Sequence, residues 1–136
     1  MNNWFFWTML AMITFGAWGF FPKLAVSYIS PQSALIYQVL GGMLVGIVSL
    51  ALINFKPETH PMGIVYALLT GITGVLGTLF YYAAASRGPI SIIVSLTALY
   101  PLITILLAII FLHETLVLKQ YIGLCFAVAA IILLAA

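Results

Sequence analysis

Six polar or aromatic side chains interrupt long apolar stretches of this chain: Trp18, Gln38, Thr70, Thr73, Thr97 and Tyr100. Indole, amide and hydroxyl groups hold small solutes by hydrogen bonds and stacking, so these residues could line a binding cavity. Thr70 and Thr73 belong to a polar stripe on the third apolar segment that recurs at helical spacing. The alternative is that the hydroxyls bond carbonyls of their own helices and that the aromatic rings face lipid.

Two prolines and one lysine stand close to these candidates. Pro101 lies near the middle of the fourth apolar segment and cannot donate to the carbonyl of Thr97, so we expect a kink or hinge there. Pro22 predicts a bend or an end in the first segment. Lys23 beside it could point inward and contact an anion or the carboxylate of a zwitterion; its alternative role is to snorkel to the membrane interface.

The sequence offers little for catalysis. No ionisable side chain sits near the middle of an apolar segment, which argues against a carboxylate proton relay. There is no metal-ligand spacing, no nucleophile with a base and no glycine-rich phosphate loop. Cys125 is alone, which excludes an internal disulfide. We therefore predict neither an enzyme nor a bound cofactor or metal.

The composition is that of a membrane protein. Of 136 residues, 65% are hydrophobic and 4% are charged, whereas roughly a quarter of a soluble domain is charged. A soluble catalytic or nucleic-acid-binding module is excluded on that ground. The formal net charge of +2 comes from scattered single residues, so no nucleic-acid partner is expected and the lipid bilayer is the predicted surrounding.

Five apolar segments are long enough to cross a bilayer core about 30 Å thick, which needs roughly 20 residues per helix. The predicted fold is all-α, an integral membrane bundle of five transmembrane helices forming a single domain over residues 1–136. Prolines open three of the segments, at a position where a missing N–H costs little. The segments are 4–21, 31–55, 61–85, 89–112 and 118–136.

Small residues share one face on two of the segments. On the third these are Ala67, Gly71, Gly74, Thr78 and Ala85, and on the fifth they are Gly123, Ala127 and Ala130. Such faces let helix backbones approach closely in lipid. We expect the third segment to pack within one subunit; for the fifth, packing within the subunit and against a second subunit are equally favoured.

The basic residues are balanced between the two membrane faces. Lys23, Lys56, Arg87 and Lys119 fall one near each of the four gaps between segments, so each face receives two. An excess of Lys and Arg in short loops normally sets the orientation of a membrane protein. Without an excess, the chain is predicted to insert both ways up (dual topology) and to pair with an antiparallel copy of itself.

Short motifs along the chain resemble the EamA domain of the drug/metabolite transporter (DMT) superfamily. They are Ala17-Trp18-Gly19 with Lys23, Pro89-Ile90-Ser91, Leu99-Tyr100-Pro101-Leu102, Leu112-His113-Glu114-Thr115-Leu116 and Gln120-Tyr121-Ile122-Gly123. Members of this family commonly carry two five-helix halves in opposite orientation around a central cavity. The resemblance implies that this chain is one inverted-repeat half of a ten-helix transporter, completed by a second copy.

Residue patterns and resemblance together predict a transporter. It would move a small metabolite, amino acid or drug-like solute that is neutral, zwitterionic or weakly anionic. Transport would occur by alternating access in an antiparallel homodimer, as a multi-pass protein of the plasma (inner) membrane. Two alternatives remain: a half-transporter subunit of a heterodimer, and a non-transporting assembly or regulatory subunit.

Overall fold

The computed structural model describes residues 4–135, with side chains for residues 4–133. Every regular element in this part of the chain is an α-helix: α1 (Trp4–Ala25), α2 (Pro31–Leu52), α3 (Pro61–Ala85), α4 (Ile90–Thr97), α5 (Tyr100–Leu112) and α6 (Leu118–Ala135). Four stretches are long and apolar enough to span a membrane, namely α1, α2, α3 and Ile90–Leu112, and Leu118–Leu133 is a shorter apolar helix. The all-helical class and the five segments are confirmed over the described residues.

Proline and capping side chains fix where α2 and α3 begin. Each helix opens on a proline, Pro31 or Pro61. The Ser33 N–H donates to Ser30 Oγ at 3.3 Å, and the Gly63 N–H donates to His60 Nδ1 at 3.4 Å. These bonds satisfy backbone donors that lack a partner in the first turn. The predicted starts are confirmed for both helices.

The ends of α1 and α2 differ from the predicted boundaries. The first segment was expected to end at Phe21, but α1 continues through Pro22 to Ala25. The second was expected to reach Phe55, but α2 ends at Leu52. Asn54 and Phe55 adopt left-handed φ angles of 54° and 57°, and the Phe55 N–H donates to the Leu50 carbonyl at 3.0 Å. Apolar composition therefore continues beyond the point where the backbone leaves the helix.

The remaining boundaries lie within a residue of the prediction, apart from a break in the fourth segment. Residues 98 and 99 separate α4 from α5. The Leu99 N–H donates to the Leu96 carbonyl at 3.1 Å, and the Leu102 N–H donates to the Leu99 carbonyl at 3.0 Å. These tighter bonds place Pro101 in the first turn of α5, where its missing N–H costs little. Residue 136, the predicted end of the fifth segment, lies outside the described residues.

The chain forms two compact units, the first ending at Arg87 and the second beginning at Gly88. In the first unit α3 packs against α1 and α2, and in the second α4 packs against α6. The buried residues of the first unit come from the end of α1, the start of α2 and the end of α3. We call this cluster the packed end: Pro22, Ala34, Thr78, Tyr81, Tyr82 and Ala85.

Away from the packed end, the first unit is open. Every residue is exposed in the ranges 10–18 of α1, 39–49 of α2 and 61–77 of α3, which we call the open half. A Cβ added to Gly71 or Gly74 would meet no atom within 4 Å. The small-residue face of α3 thus packs within the chain at Thr78 and Ala85, as predicted, but not at these two glycines.

The packed end can be tested at Ala85, which has 0% exposure. Replacing Ala85 with leucine adds three carbons to a filled site and should destabilise the protein by about 1–3 kcal/mol. The neighbouring Ala84 is exposed, so Ala84→Leu should change stability by less than about 0.5 kcal/mol. Unfolding of purified protein by increasing SDS measures both variants. Equal stability of the two would contradict the packing described here.

Candidate functional site

Two hydrogen bonds join α1 to α3 at the packed end. The Tyr81 hydroxyl donates to the Gly19 carbonyl at 2.8 Å, and Lys23 Nζ donates to the Ala85 carbonyl at 2.8 Å. Each bond links residues 62 positions apart in the sequence. Because both separations are equal, the two helices run side by side in the same direction. We call these four residues the α1–α3 joint.

Pro22 lies inside the joint and is fully buried. Its missing N–H leaves the carbonyl of Trp18 without the usual helical donor. The carbonyl of the next residue, Gly19, receives the Tyr81 hydroxyl, and the Trp18 and Tyr81 rings lie 5.2 Å apart at an angle of 39°. The contacts with α3 therefore surround the position where proline weakens α1. Whether Pro22 acts as a hinge stays a prediction.

Two basic side chains, one from α1 and one that follows α3, donate hydrogen bonds to the last carbonyls of α3. Lys23 reaches Ala85, and Arg87 Nη1 donates to the Ala83 carbonyl at 3.0 Å. Positive side chains at a helix C-terminus satisfy carbonyls without a helical donor and interact favourably with the helix dipole. Lys23 is partly buried and directed at the protein backbone. Its proposed contact with an anion stays a prediction.

The predicted threonine ligands bond within their own helices. Thr70 Oγ1 donates to the Tyr66 carbonyl at 2.9 Å, Thr73 Oγ1 to the Leu69 carbonyl at 2.8 Å, and Thr97 Oγ1 to the Ile93 carbonyl at 2.8 Å. This is the arrangement that the alternative interpretation described. Each oxygen keeps lone pairs and each residue is exposed, so the three hydroxyls can still accept hydrogen bonds from a solute.

Gln38 is the unusual member of the predicted set. It lies one turn after the buried Ala34 on α2 and is itself partly buried. Among the described side chains, Gln38 Oε1 is the one buried nitrogen or oxygen without a hydrogen-bond partner. A buried acceptor without a donor is costly and rare in folded proteins.

The six predicted contacts divide between the two units. Trp18, Gln38, Thr70 and Thr73 belong to the first unit, while Thr97 ends α4 and Tyr100 begins α5 at the break in the second. Trp18 is 37% exposed and Tyr100 is 63% exposed. Their membership of one cavity stays a prediction. Tyr81 was not among the predicted contacts, although it continues the helical spacing of Thr70 and Thr73 along the third segment and its ring touches that of Trp18.

A separate shallow depression of about 290 Å³ lies at the start of α3, lined by Glu58, His60, Gly63, Ile64 and Ala67. His60 Nδ1 already caps α3 by accepting from the Gly63 N–H. Within residues 4–133, no group of three His, Cys, Asp or Glu side chains is arranged to hold a metal ion. None of the six predicted contact residues lines this depression.

Long apolar helices and their polar stripes define a multi-pass membrane protein. The chain matches the EamA-like transporter family over residues 2–136, and it belongs to that family, within the DMT superfamily. It is 32% identical over 130 residues to the uncharacterized protein MJ1333.1 of Methanocaldococcus jannaschii, covering 93% of this chain and 91% of that protein. No solved structure matches the chain significantly.

The α1–α3 joint can be tested with Tyr81→Phe, which keeps the ring and removes the hydroxyl. Loss of the bond to the Gly19 carbonyl should lower stability by about 0.5–1.5 kcal/mol. It should also change the emission of Trp18, measured with Trp4 and Trp7 replaced by phenylalanine. Tyr66 is 62% exposed, so Tyr66→Phe serves as the matched control. Identical emission and stability in the two variants would rule out the described contact.

Proposed function

We propose that this protein transports a small solute by alternating access, as an antiparallel homodimer in the plasma (inner) membrane. The observation that carries the proposal is the open half of the first unit. Exposed hydroxyls and glycines alternate there with apolar residues along α2 and α3. Helix faces rich in small and polar residues are typical of helix–helix contacts and cavities in membranes, whereas lipid-facing surfaces are mostly apolar.

The exposed glycines of the open half favour close packing against a second copy of the chain. A Cβ built on seven of the eight would meet no atom within 4 Å: Gly16, Gly41, Gly42, Gly46, Gly71, Gly74 and Gly77. At Gly63 it would meet His60 Cβ at 3.8 Å. Glycine lowers helix stability by about 1 kcal/mol relative to alanine. A cluster of glycines is therefore expected where another helix approaches closely, and no described helix of the first unit does so at these positions.

Two further arguments favour an antiparallel partner. The basic residues divide two against two between the membrane faces, which gives the chain no strong preferred orientation. The family commonly places two inverted five-helix halves around one cavity, and this chain supplies one half. A second copy inserted in the opposite orientation would complete that arrangement without another gene product.

The solute site would lie near mid-depth between the two copies, with contacts from Trp18, Gln38, Thr70, Thr73, Thr97 and Tyr100. The two carboxylates, Glu58 and Glu114, lie in connections between helices. A facilitator or exchanger mechanism is consistent with their position. The direct test is solute flux into proteoliposomes containing the purified protein alone. Flux only after a different half-sized protein is added would favour a heterodimer, and no flux in either case would favour a non-transporting subunit.

Charge placement provides a test of dual orientation. Inserting two lysines beside Lys56 should bias the chain to one orientation, and flux should fall to background because antiparallel pairs no longer form. Co-expression with a copy carrying two lysines beside Arg87 should restore flux. Labelling of single cysteines in each loop, on a Cys125→Ser background, reports orientation. Two glutamines inserted beside Lys56 serve as the control, and full activity in a single confirmed orientation would refute the proposal.

Cross-linking distinguishes antiparallel from parallel pairing. In an antiparallel dimer the two-fold axis lies in the membrane plane, so only residues near mid-depth can meet their own copies. Gly74 lies near the middle of α3 and Gly63 near its start. On a Cys125→Ser background, Gly74→Cys should form a disulfide with its copy and Gly63→Cys should not. Cross-linking at both positions would indicate a parallel dimer, and cross-linking at neither would contradict α3 as the contact.

A further inference from the structure

Gln38 Oε1 indicates which chemical groups the solute carries. We propose that the transported solute bears an N–H or O–H group that donates a hydrogen bond to Gln38 Oε1, as an ammonium, amide or hydroxyl would. The inference rests on the proposed transport function and deepens it. Its starting point is the buried, unpartnered position of this oxygen in the chain.

Two hydroxyls of the packed end are already used in other hydrogen bonds. Thr78 Oγ1 donates to the Gly74 carbonyl at 2.8 Å, and the Tyr81 hydroxyl donates to the Gly19 carbonyl at 2.8 Å. A hydroxyl has a single proton to give, so these two residues have none left for Gln38. Since the described residues leave the oxygen without a partner, a donor from a solute can satisfy it.

The side chain of Gln38 is reachable from outside the chain, because the residue as a whole is only partly buried. The last torsion of a glutamine side chain has a broad, low-barrier profile. Rotation of the amide about this bond carries Oε1 towards the exposed side of the residue and Nε2 towards the buried side. A solute donor would then bond to an acceptor that is unsatisfied in the empty protein, and this gain must exceed the cost of moving the amide nitrogen inward.

The hydroxyl oxygens of Thr70 and Thr73 on α3 are hydrogen-bond acceptors, as Gln38 Oε1 is. The protons of Thr70 and Thr73 are used within their helix, so their oxygens can only accept from a solute. A carboxylate brings acceptors alone and gains nothing from any of these three oxygens. Weakly anionic solutes therefore gain nothing from these three oxygens, whereas amines, amides, polyols and the ammonium end of a zwitterion can donate to them.

The first experiment measures the stability of the solute-free protein. Gln38→Met keeps a similar volume and removes the unpaired oxygen, so the midpoint of thermal unfolding should rise by roughly 2–4 °C. Gln32 lies in the first turn of the same helix and is exposed, so Gln32→Met is the matched control and should shift the midpoint by less than about 1 °C. A Gln38→Met variant that is no more stable than Gln32→Met overturns the inference.

The second experiment uses pairs of solutes that differ only in their donors: glycine against trimethylglycine, and ethanolamine against choline. In wild-type proteoliposomes the donor-bearing member of at least one pair should enter roughly tenfold faster, and Gln38→Met should remove that preference. Gln38→Glu retains an acceptor oxygen and should retain the preference. Gln32→Met should behave as wild type.

The outcomes separate this inference from the proposed function. Flux with the same donor preference in Gln38→Met, or wild-type flux without any preference, overturns the role of Gln38 and leaves transport intact. Absence of flux for every solute in the wild-type protein overturns both. Flux that prefers donors in wild type and Gln38→Glu, but not in Gln38→Met, supports both.

Discussion

Hydrogen bonds from side chains to backbone carbonyls are the interaction on which this structure depends. Hydrocarbon contains no water to satisfy a carbonyl that a proline or a helix end has left without a donor, so the protein must supply the donor itself. Lys23 supplies such a donor to Ala85 at the end of α3, and Tyr81 donates to Gly19, the carbonyl next to the one that Pro22 frees. Because these bonds link two helices at a constant sequence separation, they set the direction and register of α1 against α3.

Local chemistry made much of the fold predictable. A proline and a capping side chain begin α2 and α3 where the sequence indicated, and the break in the fourth segment lies next to Pro101. Pro22 could not be interpreted in the same way. Its helix continues because α3 packs around it, and that contact depends on Tyr81, far along the chain. Hydropathy also placed the end of α2 too late, since apolar side chains continue through its left-handed turn.

The candidate site was only partly accessible to sequence reasoning. Spacing identified Thr70 and Thr73 as one face of a helix, and this follows from helix geometry alone. Spacing does not say where a hydroxyl proton goes, because a bond to the preceding turn and a bond to a solute have the same periodicity. Gln38 was equally visible as a polar residue in an apolar segment. Its significance comes from the burial of one atom without a partner, which only the packing of the helices determines.

The contrast between the packed end and the open half gives the proposed dimer a physical basis for alternating access. The packed end joins three helices next to Lys23 and Arg87, while the opposite ends of α2 and α3 remain open. In an antiparallel pair the packed ends of the two copies would lie on opposite membrane faces. Each face would then combine one packed end with one open half. If the two copies adopted different conformations, the dimer would open to one face only. Exchange of the two conformations would turn an outward-open dimer into an inward-open dimer of equal intrinsic energy. A solute held at mid-depth by Gln38 would be released to either side according to its concentration, which is the behaviour of a facilitator or an exchanger.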